Sequence, residues 1–235
     1  NIHLTKVDSE YPDNKLTGAT FEVYKDSNAN GKLDSGDELL GTLTEKEKGE
    51  YSMNDLFYGR YFVKETKAPE GFVLDTGVYE VMIDTNGKTY EVENKAGVGF
   101  INDAMRGNLK IVKTSSDGKV KGFAFRITGA NGYDIILETN DKGEIFIDGL
   151  RIGDYTISEV NNSASSMYVI PADKKATVKI GSTTIVEMHN LLRDTPKTGD
   201  TTNLPLLYAL AGLSAVGIAV CGVIGFKKKK KEDRN

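Results

Sequence analysis

Two segments of this 235-residue chain align without a gap. Residues 49–65 read GEYSMNDLFYGRYFVKE and residues 143–159 read GEIFIDGLRIGDYTISE, with identities at Gly49/Gly143, Glu50/Glu144, Leu56/Leu150, Gly59/Gly153, Tyr61/Tyr155 and Glu65/Glu159. The parallel extends upstream: GATFEVYK (18–25) matches GFAFRITG (122–129), and LTKVDS (4–9) matches IVKTSS (111–116). Self-similarity of this kind means that one structural unit is used twice, here at about 1–105 and 106–192. Gly18 to Gly49 spans 31 positions and Gly122 to Gly143 only 21, so the first copy carries a ten-residue insertion. Both copies alternate apolar and polar residues in short runs, TFEVY, RYFVKE, VYEVMI, LKIVK, EIFI, YTISE and TTIVEM, broken by Gly, Asn and Asp. That is the period of half-buried strands. No segment before residue 204 has a helical period, and the expected body is all-β, two tandem β-sandwiches of roughly seven strands each.

The C-terminus is of another kind. Residues 204–226, LPLLYALAGLSAVGIAVCGVIGF, carry no charge over 23 positions, and five lysines follow. About 20 apolar residues span a bilayer, and lysine-rich flanks stay cytoplasmic. A C-terminal transmembrane helix at 204–226 is therefore expected, with a cytoplasmic tail at 227–235 and the body outside. The net charge of −4 divides accordingly. The tail holds six basic and two acidic residues, leaving 24 basic against 32 acidic elsewhere. An acidic body argues against nucleic-acid binding. The single cysteine, Cys221, falls in the span, so the exterior has neither a disulfide nor a cysteine metal site. Two histidines, His3 and His189, are too few for a histidine-rich centre. The chain has no starting Met and no signal peptide, which an exported protein needs, so Asn1 is read as internal to a longer precursor.

Before the apolar span, in a linker at 193–203, stands Thr195-Pro196-Lys197-Thr198-Gly199. With its spacer, span and basic tail, TPKTG resembles the LPxTG sorting signal of Gram-positive surface proteins, with Thr195 in place of Leu. The resemblance implies that a sortase cleaves between Thr198 and Gly199 and joins the new carboxyl to peptidoglycan or to a pilin lysine. Membrane retention would then be transient. Pro196 keeps Thr195 extended, and Gly199 lets an enzyme approach the scissile bond.

Side chains alternate faces along a strand. By that rule Lys6 shares a face with Ile2 and Leu4, Glu65 with Tyr61 and Val63, and Asn102 with Val98 and Phe100. In the second copy Lys113 aligns with Leu109 and Ile111, Glu159 with Tyr155 and Ile157, and Asn190 with Val186 and Met188. Each copy thus aims a lysine, a glutamate and an asparagine into its core, from the first, a middle and the last strand. A buried charge is costly unless paired or neutralised. Spacing alone leaves two readings open. One is a buried Lys–Glu ion pair with a hydrogen-bonded Asn. The other is an isopeptide bond from the lysine to the asparagine side chain. Desolvation supplies a neutral amine as nucleophile, and a protonated glutamate moves the protons.

Each copy resembles the collagen-adhesin B-type domain, the SpaA-like prealbumin fold of Gram-positive adhesins and pilins. The first copy has the Lys-Val-Asp opening at 6–8. It also has YFVKETKAPEGF at 61–72, like the E-box of that family, and FINDAMRGNLKIVKT at 100–114, like its last strand running into the next domain. The second E-box, SEVNNSASSMYVIP, lacks the Ala-Pro-x-Gly continuation. The resemblance implies immunoglobulin-like or prealbumin-like sandwiches and isopeptide triads of Lys6, Glu65 and Asn102 and of Lys113, Glu159 and Asn190. Asn94 in YEVENK is a competing acceptor.

The insertion has the spacing of a calcium loop. Asp26, Asn28, Asn30, the Lys32 carbonyl, Asp34 and Asp37 fall at positions 1, 3, 5, 7, 9 and 12, with Gly31 at 6 and Leu33 at 8. Aspartate replaces the usual glutamate at 12. The flanks read as strands, so bound Ca²⁺ would stiffen a loop, at an expected weak affinity of roughly 10⁻⁴–10⁻³ M. The alternative is an ion-free polar hairpin. Lys46 and Lys48 read as a solvated face, and 163–166 as a flexible loop.

These readings converge on a cell-wall-anchored structural protein, the wall-proximal stalk of an adhesin or pilus subunit, with no enzymatic activity beyond self-crosslinking. No pilin-type lysine motif is evident, which favours a wall-anchored or pilus-base role. The other expectations are a module binding a host extracellular-matrix protein and a spacer for an upstream enzyme.

Overall fold

The structure is a computed structural model that describes residues 1–194. The sorting pentapeptide Thr195–Gly199, the apolar span 204–226 and the basic tail lie outside the described residues. Among the described residues, no helix is long and apolar enough to cross a membrane, and a 3-10 turn at Ala130–Gly132 is the only helical element.

The first copy contains β1 (Ile2–Asp8), β2 (Thr20–Lys25), β3 (Glu38–Thr42), β4 (Thr44–Glu47), β5 (Glu50–Met53), β6 (Gly59–Lys67), β7 (Val78–Ile83), β8 (Tyr90–Glu91) and β9 (Phe100–Asn102). The second contains β10 (Arg106–Ser115), β11 (Ala124–Thr128), β12 (Asp134–Glu138), β13 (Glu144–Arg151), β14 (Gly153–Val160), β15 (Tyr168–Val169), β16 (Lys174–Val178) and β17 (Thr183–Leu192). Nine and eight strands replace the expected seven, because short edge strands carry too few residues to show a period.

Each copy is a two-sheet sandwich of the expected kind. One sheet runs β4-β5-β1 with β8 and β9 on the far edge of β1, and the other runs β3-β2-β6-β7. In the second copy the corresponding sheets are β13-β10-β17-β15 and β12-β11-β14-β16. First and last strands are parallel neighbours in both. In the second copy β17 is continuous along β10. In the first, the last strand is split into β8 and β9, which is why Val98 lies outside the strand on which it was expected. The intervening residues turn back through an isolated bridge between Lys95 and Gly99. Gly99 has a φ of 124°, and a Cβ there would stand 2.7 Å from the Thr5 carbonyl oxygen.

The inner faces fill with the alternating residues. Ile2, Leu4, Phe21, Val23, Tyr51, Tyr61, Val63 and Phe100 are buried in one core. Leu109, Ile111, Phe125, Ile127, Tyr155, Ile157, Val186 and Met188 are buried in the other. The repeat identities have structural counterparts. The Tyr61 hydroxyl donates to the Phe57 carbonyl (2.8 Å) and the Tyr155 hydroxyl to the Arg151 carbonyl (2.9 Å), so each tyrosine closes the same four-residue corner.

The copies meet through an ion pair whose carboxylate is buried. Asp8, at the end of β1, is fully buried. Its carboxylate accepts from the Arg151 guanidinium at 2.6 and 2.7 Å and from the backbone N–H groups of Glu10 and Tyr11. Arg151 also reaches Glu10 at 2.8 Å and lies 4.9 Å from the Tyr11 ring centroid, and the Ile152 N–H donates to the Met105 carbonyl at 3.0 Å. Bidentate pairing of this kind is geometrically specific. The position equivalent to Arg151 in the first copy is Phe57, which is 81% exposed. Arg151→Ala strands a buried carboxylate and should lower stability by roughly 3 kcal/mol in urea denaturation. Phe57→Ala, at the same point of the repeat, should change it by less than about 0.5 kcal/mol.

Candidate functional site

The residue pattern that builds the site starts with a glycine. Gly49 and Gly143 have φ of 71° and 76°, and a Cβ at either would come within 2.9 or 2.7 Å of the carbonyl oxygen of Lys6 or Lys113. Their own carbonyls accept from the Lys6 and Lys113 N–H groups at 2.7 and 2.8 Å. Only glycine tolerates this conformation and approach at no cost. The repeated glycine therefore fixes the backbone of the repeated lysine.

Register brings the other two groups in. Lys6 pairs with Phe100 and Asp8 with Asn102, so the asparagine sits two residues along from the lysine on the adjacent parallel strand. Lys113 pairs with Met188 and Ser115 with Asn190, the same offset. The glutamates come from the facing sheet, Glu65 opposite Phe21 and Glu159 opposite Phe125. Lys6, Glu65, Lys113 and Asn190 have at most 1% of their surface exposed, Asn102 3% and Glu159 7%.

In the first copy the Lys6 Nζ lies 3.8 Å from Glu65 Oε1, donates to the Phe100 carbonyl at 3.0 Å, and stands 5.1 Å from the Phe100 ring centroid. Asn102 Nδ2 donates to Glu65 Oε2 at 2.8 Å and to the Val73 carbonyl at 2.6 Å. In the second copy Asn190 Nδ2 donates to Glu159 Oε1 at 2.6 Å. The Lys113 ammonium donates to the Thr114 carbonyl and lies 4.1 Å from the Phe123 ring centroid. Asn94 points elsewhere. It bonds both the N–H and the carbonyl of Ile101 and the Asp75 carboxylate, leaving Asn102 as the amide that faces Glu65.

Burial sets the protonation. It lowers Lys6 to about 8 against the opposing pull of Glu65, Asp75 and Asp8, and it lowers Lys113 against Glu159 and Asp117. It pushes Glu65 up against hydrogen bonds from Asn102 and the Asp75 N–H, and it raises Glu159 against the bond from Asn190. Both partners thus move toward their neutral forms. Each site also holds two buried acceptor oxygens without a hydrogen-bond partner, Glu65 Oε1 with Asn102 Oδ1 and Glu159 Oε2 with Asn190 Oδ1. Two acceptors cannot bond each other. A proton on the glutamate would turn one of them into a donor.

In the inserted loop, Asp26 accepts from the N–H groups of Asn30 and Gly31 at 3.2 and 3.1 Å. Asp34 accepts from the side-chain amides of Asn28 and Asn30 at 3.0 and 2.6 Å, and Asp37 accepts from the N–H groups of Ser27 and Asp34. These side chains thus bond one another and the loop backbone, with Arg60 Nη1 3.3 Å from Asp26. Among the described residues, no three His, Cys, Asp or Glu side chains group as a metal centre. Lys46 and Lys48 are exposed. Segment 163–166 is not a loose loop. Ser165 is fully buried, and Asn162 Oδ1 accepts from the Ala164 and Ser165 N–H groups.

A model of the SpaA prealbumin-like fold domain matches residues 1–96 and 107–191. The chain belongs to the SpaA prealbumin-like family. Its curated relatives include the trypsin-resistant surface T6 protein of Streptococcus pyogenes serotype M6, 26% identical over 194 residues that cover 69% of this chain and 34% of that protein. Among solved structures, the Bacillus anthracis TIE protein matches with a TM-score of 0.59 and 25% identity over 80% of this chain and 33% of that one. The minor pilin GBS52 of Streptococcus agalactiae matches with a TM-score of 0.39 and 19% identity over 85% of this chain and 98% of that one. The chain spans about a third of the T6 and TIE proteins. By name, the T6 relative is a surface protein and GBS52 a minor pilin.

Stability should register the buried lysine when no crosslink is possible. Asn102→Ala leaves Lys6 unjoined. Its lowered folded pKa means that the unfolded chain holds more protons above about 8, so stability should rise by roughly 2 kcal/mol as pH goes from about 8 toward about 10. Tyr51 and Tyr79, raised to about 12 by burial, ionise first in the unfolded chain, so stability should fall again beyond about 10, the ordinary range of a tyrosine. Urea denaturation across this range checks it, and a flat curve would mean that the lysine is hydrated.

Proposed function

We propose that the chain is a structural stalk of a Gram-positive surface protein whose two sandwiches are each stapled by a Lys–Asn isopeptide bond, Lys6 to Asn102 and Lys113 to Asn190. The observation that carries this reading is the duplicated pair of orphaned acceptors. A Lys–Glu ion pair kept for stability would hydrogen-bond its carboxylate, whereas Glu65 Oε1 lies 3.8 Å from Lys6 Nζ and neither it nor Glu159 Oε2 has a hydrogen-bond partner among the described residues. A protonated glutamate bonding the amide oxygen polarises the carbonyl for the amine. The neutral lysine attacks Cγ, the Cγ–Nδ2 bond breaks, and one lysine proton passes through the glutamate to the leaving nitrogen, which departs as ammonia. Fixed positions on neighbouring strands supply the proximity that amide exchange lacks in water. One relative is named for resistance to trypsin, a property that first-to-last-strand staples would confer here as well.

The sequence pattern at 195–235 supports anchoring by a sortase at Thr198, to peptidoglycan or to a pilin lysine, with a cell-surface location. The oxygen donors of the inserted loop support weak Ca²⁺ binding by Asp26, Asn28, Asn30, the Lys32 carbonyl, Asp34 and Asp37, which would stiffen the connection between β2 and β3.

Two measurements test these proposals. The intact mass of residues 1–192 should fall short of the sequence mass by two ammonias, and Glu65→Ala and Glu159→Ala should each restore one; a full wild-type mass sinks the staple. Millimolar Ca²⁺ should raise the melting temperature, and Asp26→Ala combined with Asp34→Ala should abolish the shift. An unchanged shift in that variant places the ion elsewhere.

A further inference from the structure

The two sites differ in one respect that the repeat does not anticipate. In the first copy the segment from Val73 to Asp75 grips both the asparagine and the glutamate of the site. The Val73 carbonyl accepts from Asn102 Nδ2 at 2.6 Å, and the Asp75 N–H donates to Glu65 Oε2 at 2.8 Å. The segment is tied to the residue that follows the last strand, since the Val73 N–H donates to the Asp103 carbonyl at 2.8 Å. The Asp75 carboxylate is itself held. It accepts from the Tyr79 hydroxyl at 2.8 Å, the Asn94 side-chain amide at 2.7 Å and the Gly77 N–H at 2.6 Å. Asn94 is locked onto the Ile101 backbone, one residue from Asn102. Asp75, Tyr79, Asn94 and Asn102 line a pocket of 430 Å³, which gives ammonia leaving Asn102 a way out. In the second copy, among the described residues, Asn190 Nδ2 bonds only Glu159 Oε1, and Glu159 Oε2 has no partner.

We propose that Asp75, braced by Tyr79 and Asn94, is a positioning residue for crosslinking in the first copy alone: its backbone holds Glu65 against Asn102, and its carboxylate sets the pH range in which the Lys6–Glu65 pair reacts. The proposal rests on the isopeptide reading. The pair reacts while it carries one proton between its two members, on either the carboxyl or the amine. The negative charge of Asp75 favours protonation of both Lys6 and Glu65 and so moves that range to higher pH. The other charged or titratable groups facing the pair are Asp8 on β1 and Tyr79 on β7; Tyr79 stays neutral up to about 12. Removing the charge of Asp75 shifts the range to lower pH, and loosening the brace slows the bond without moving the range, since a small misplacement costs up to about a hundredfold.

The test uses residues 1–192, the compact unit that holds both cores, freshly synthesised, kept unfolded in urea, and diluted into a pH series. Ammonia loss is followed in each copy by peptide mapping, so the second copy is the control inside the same molecule. Wild type should link the first copy faster than the second. Asp75→Asn, which keeps the N–H and the shape, should move the rate optimum of the first copy to lower pH and leave the second copy unchanged. Asn94→Ala should slow the first copy about tenfold with an unmoved optimum. Should Asp75→Asn misfold, judged by near-UV circular dichroism, Asp75→Ser removes the same charge and should give the same shift, whereas Tyr79→Phe, which keeps the charge and loosens the brace, should slow the first copy with an unmoved optimum. An unshifted optimum in a folded Asp75→Asn, or equal effects on both copies, overturns the role of Asp75. No ammonia loss from either copy of the wild type overturns the isopeptide reading beneath it.

Discussion

A lysine ammonium enclosed among apolar side chains is the constraint on which the rest of each sandwich depends. Isolated in such a place, a charge costs several kcal/mol even after relaxation. The core answers with a carbonyl acceptor, an aromatic ring face and a glutamate from the opposite sheet, at Lys6 with Phe100 and Glu65. It does not answer with a close ion pair. At 3.8 Å the Lys6 and Glu65 groups fall short of a hydrogen bond, and burial drives both toward neutrality. A neutral amine beside a carboxamide and a protonated acid is a reactive arrangement, and in the proposed crosslink a liability for stability would become a source of chemistry. The glycine behind each lysine, the parallel pairing of first and last strands and the two-residue offset to the asparagine all serve to hold that arrangement.

The copies share this arrangement and diverge around it. At the position following the repeated leucine, the first copy has Phe57, exposed, and the second has Arg151, half-buried and paired with the buried Asp8 of the first copy. Asp8 lies two residues beyond Lys6 on the same strand and opposite Asn102 in register. The interface therefore grips the first sandwich at the end of the very strand pair that would be joined. On the other side of the same site, the first copy adds the Val73–Asp75 brace.

The six identities of the repeat made much of this visible from sequence. Alternation placed Lys6, Glu65, Lys113, Glu159 and Asn190 inward, because a strand with one buried face has only two choices of side. It was less able to place Asn102, whose strand is only three residues long; its place one short link before the second copy favoured it over Asn94, and Asn94 bonds the Ile101 backbone instead of facing Glu65. Asp75 and Arg151 could not be found this way. Asp75 acts through a backbone N–H, and Arg151 through a partner 143 residues away, and neither relation leaves a period or a motif. Ser165 shows the converse. A run of small polar residues looked loose, yet it is folded around the Asn162 side chain.

The position of the proposed staples has a mechanical consequence. A pull on the two ends of the first copy enters at Asn1 and leaves through Arg106. With Lys6 joined to Asn102, tension passes along β1 for its first residues, crosses the amide, and leaves by the short link to β10, so the chain between those two residues carries none of it. The second copy repeats the route from Lys113 to Asn190. Unfolding by stretching would then require a covalent bond to break, whereas hydrogen bonds between parallel strands would otherwise bear the load in shear. The residues up to 192 contain no cysteine, so the covalent support of this stalk would not depend on the redox state of its surroundings, and an amide, unlike a disulfide, offers no thiol exchange by which it could be undone.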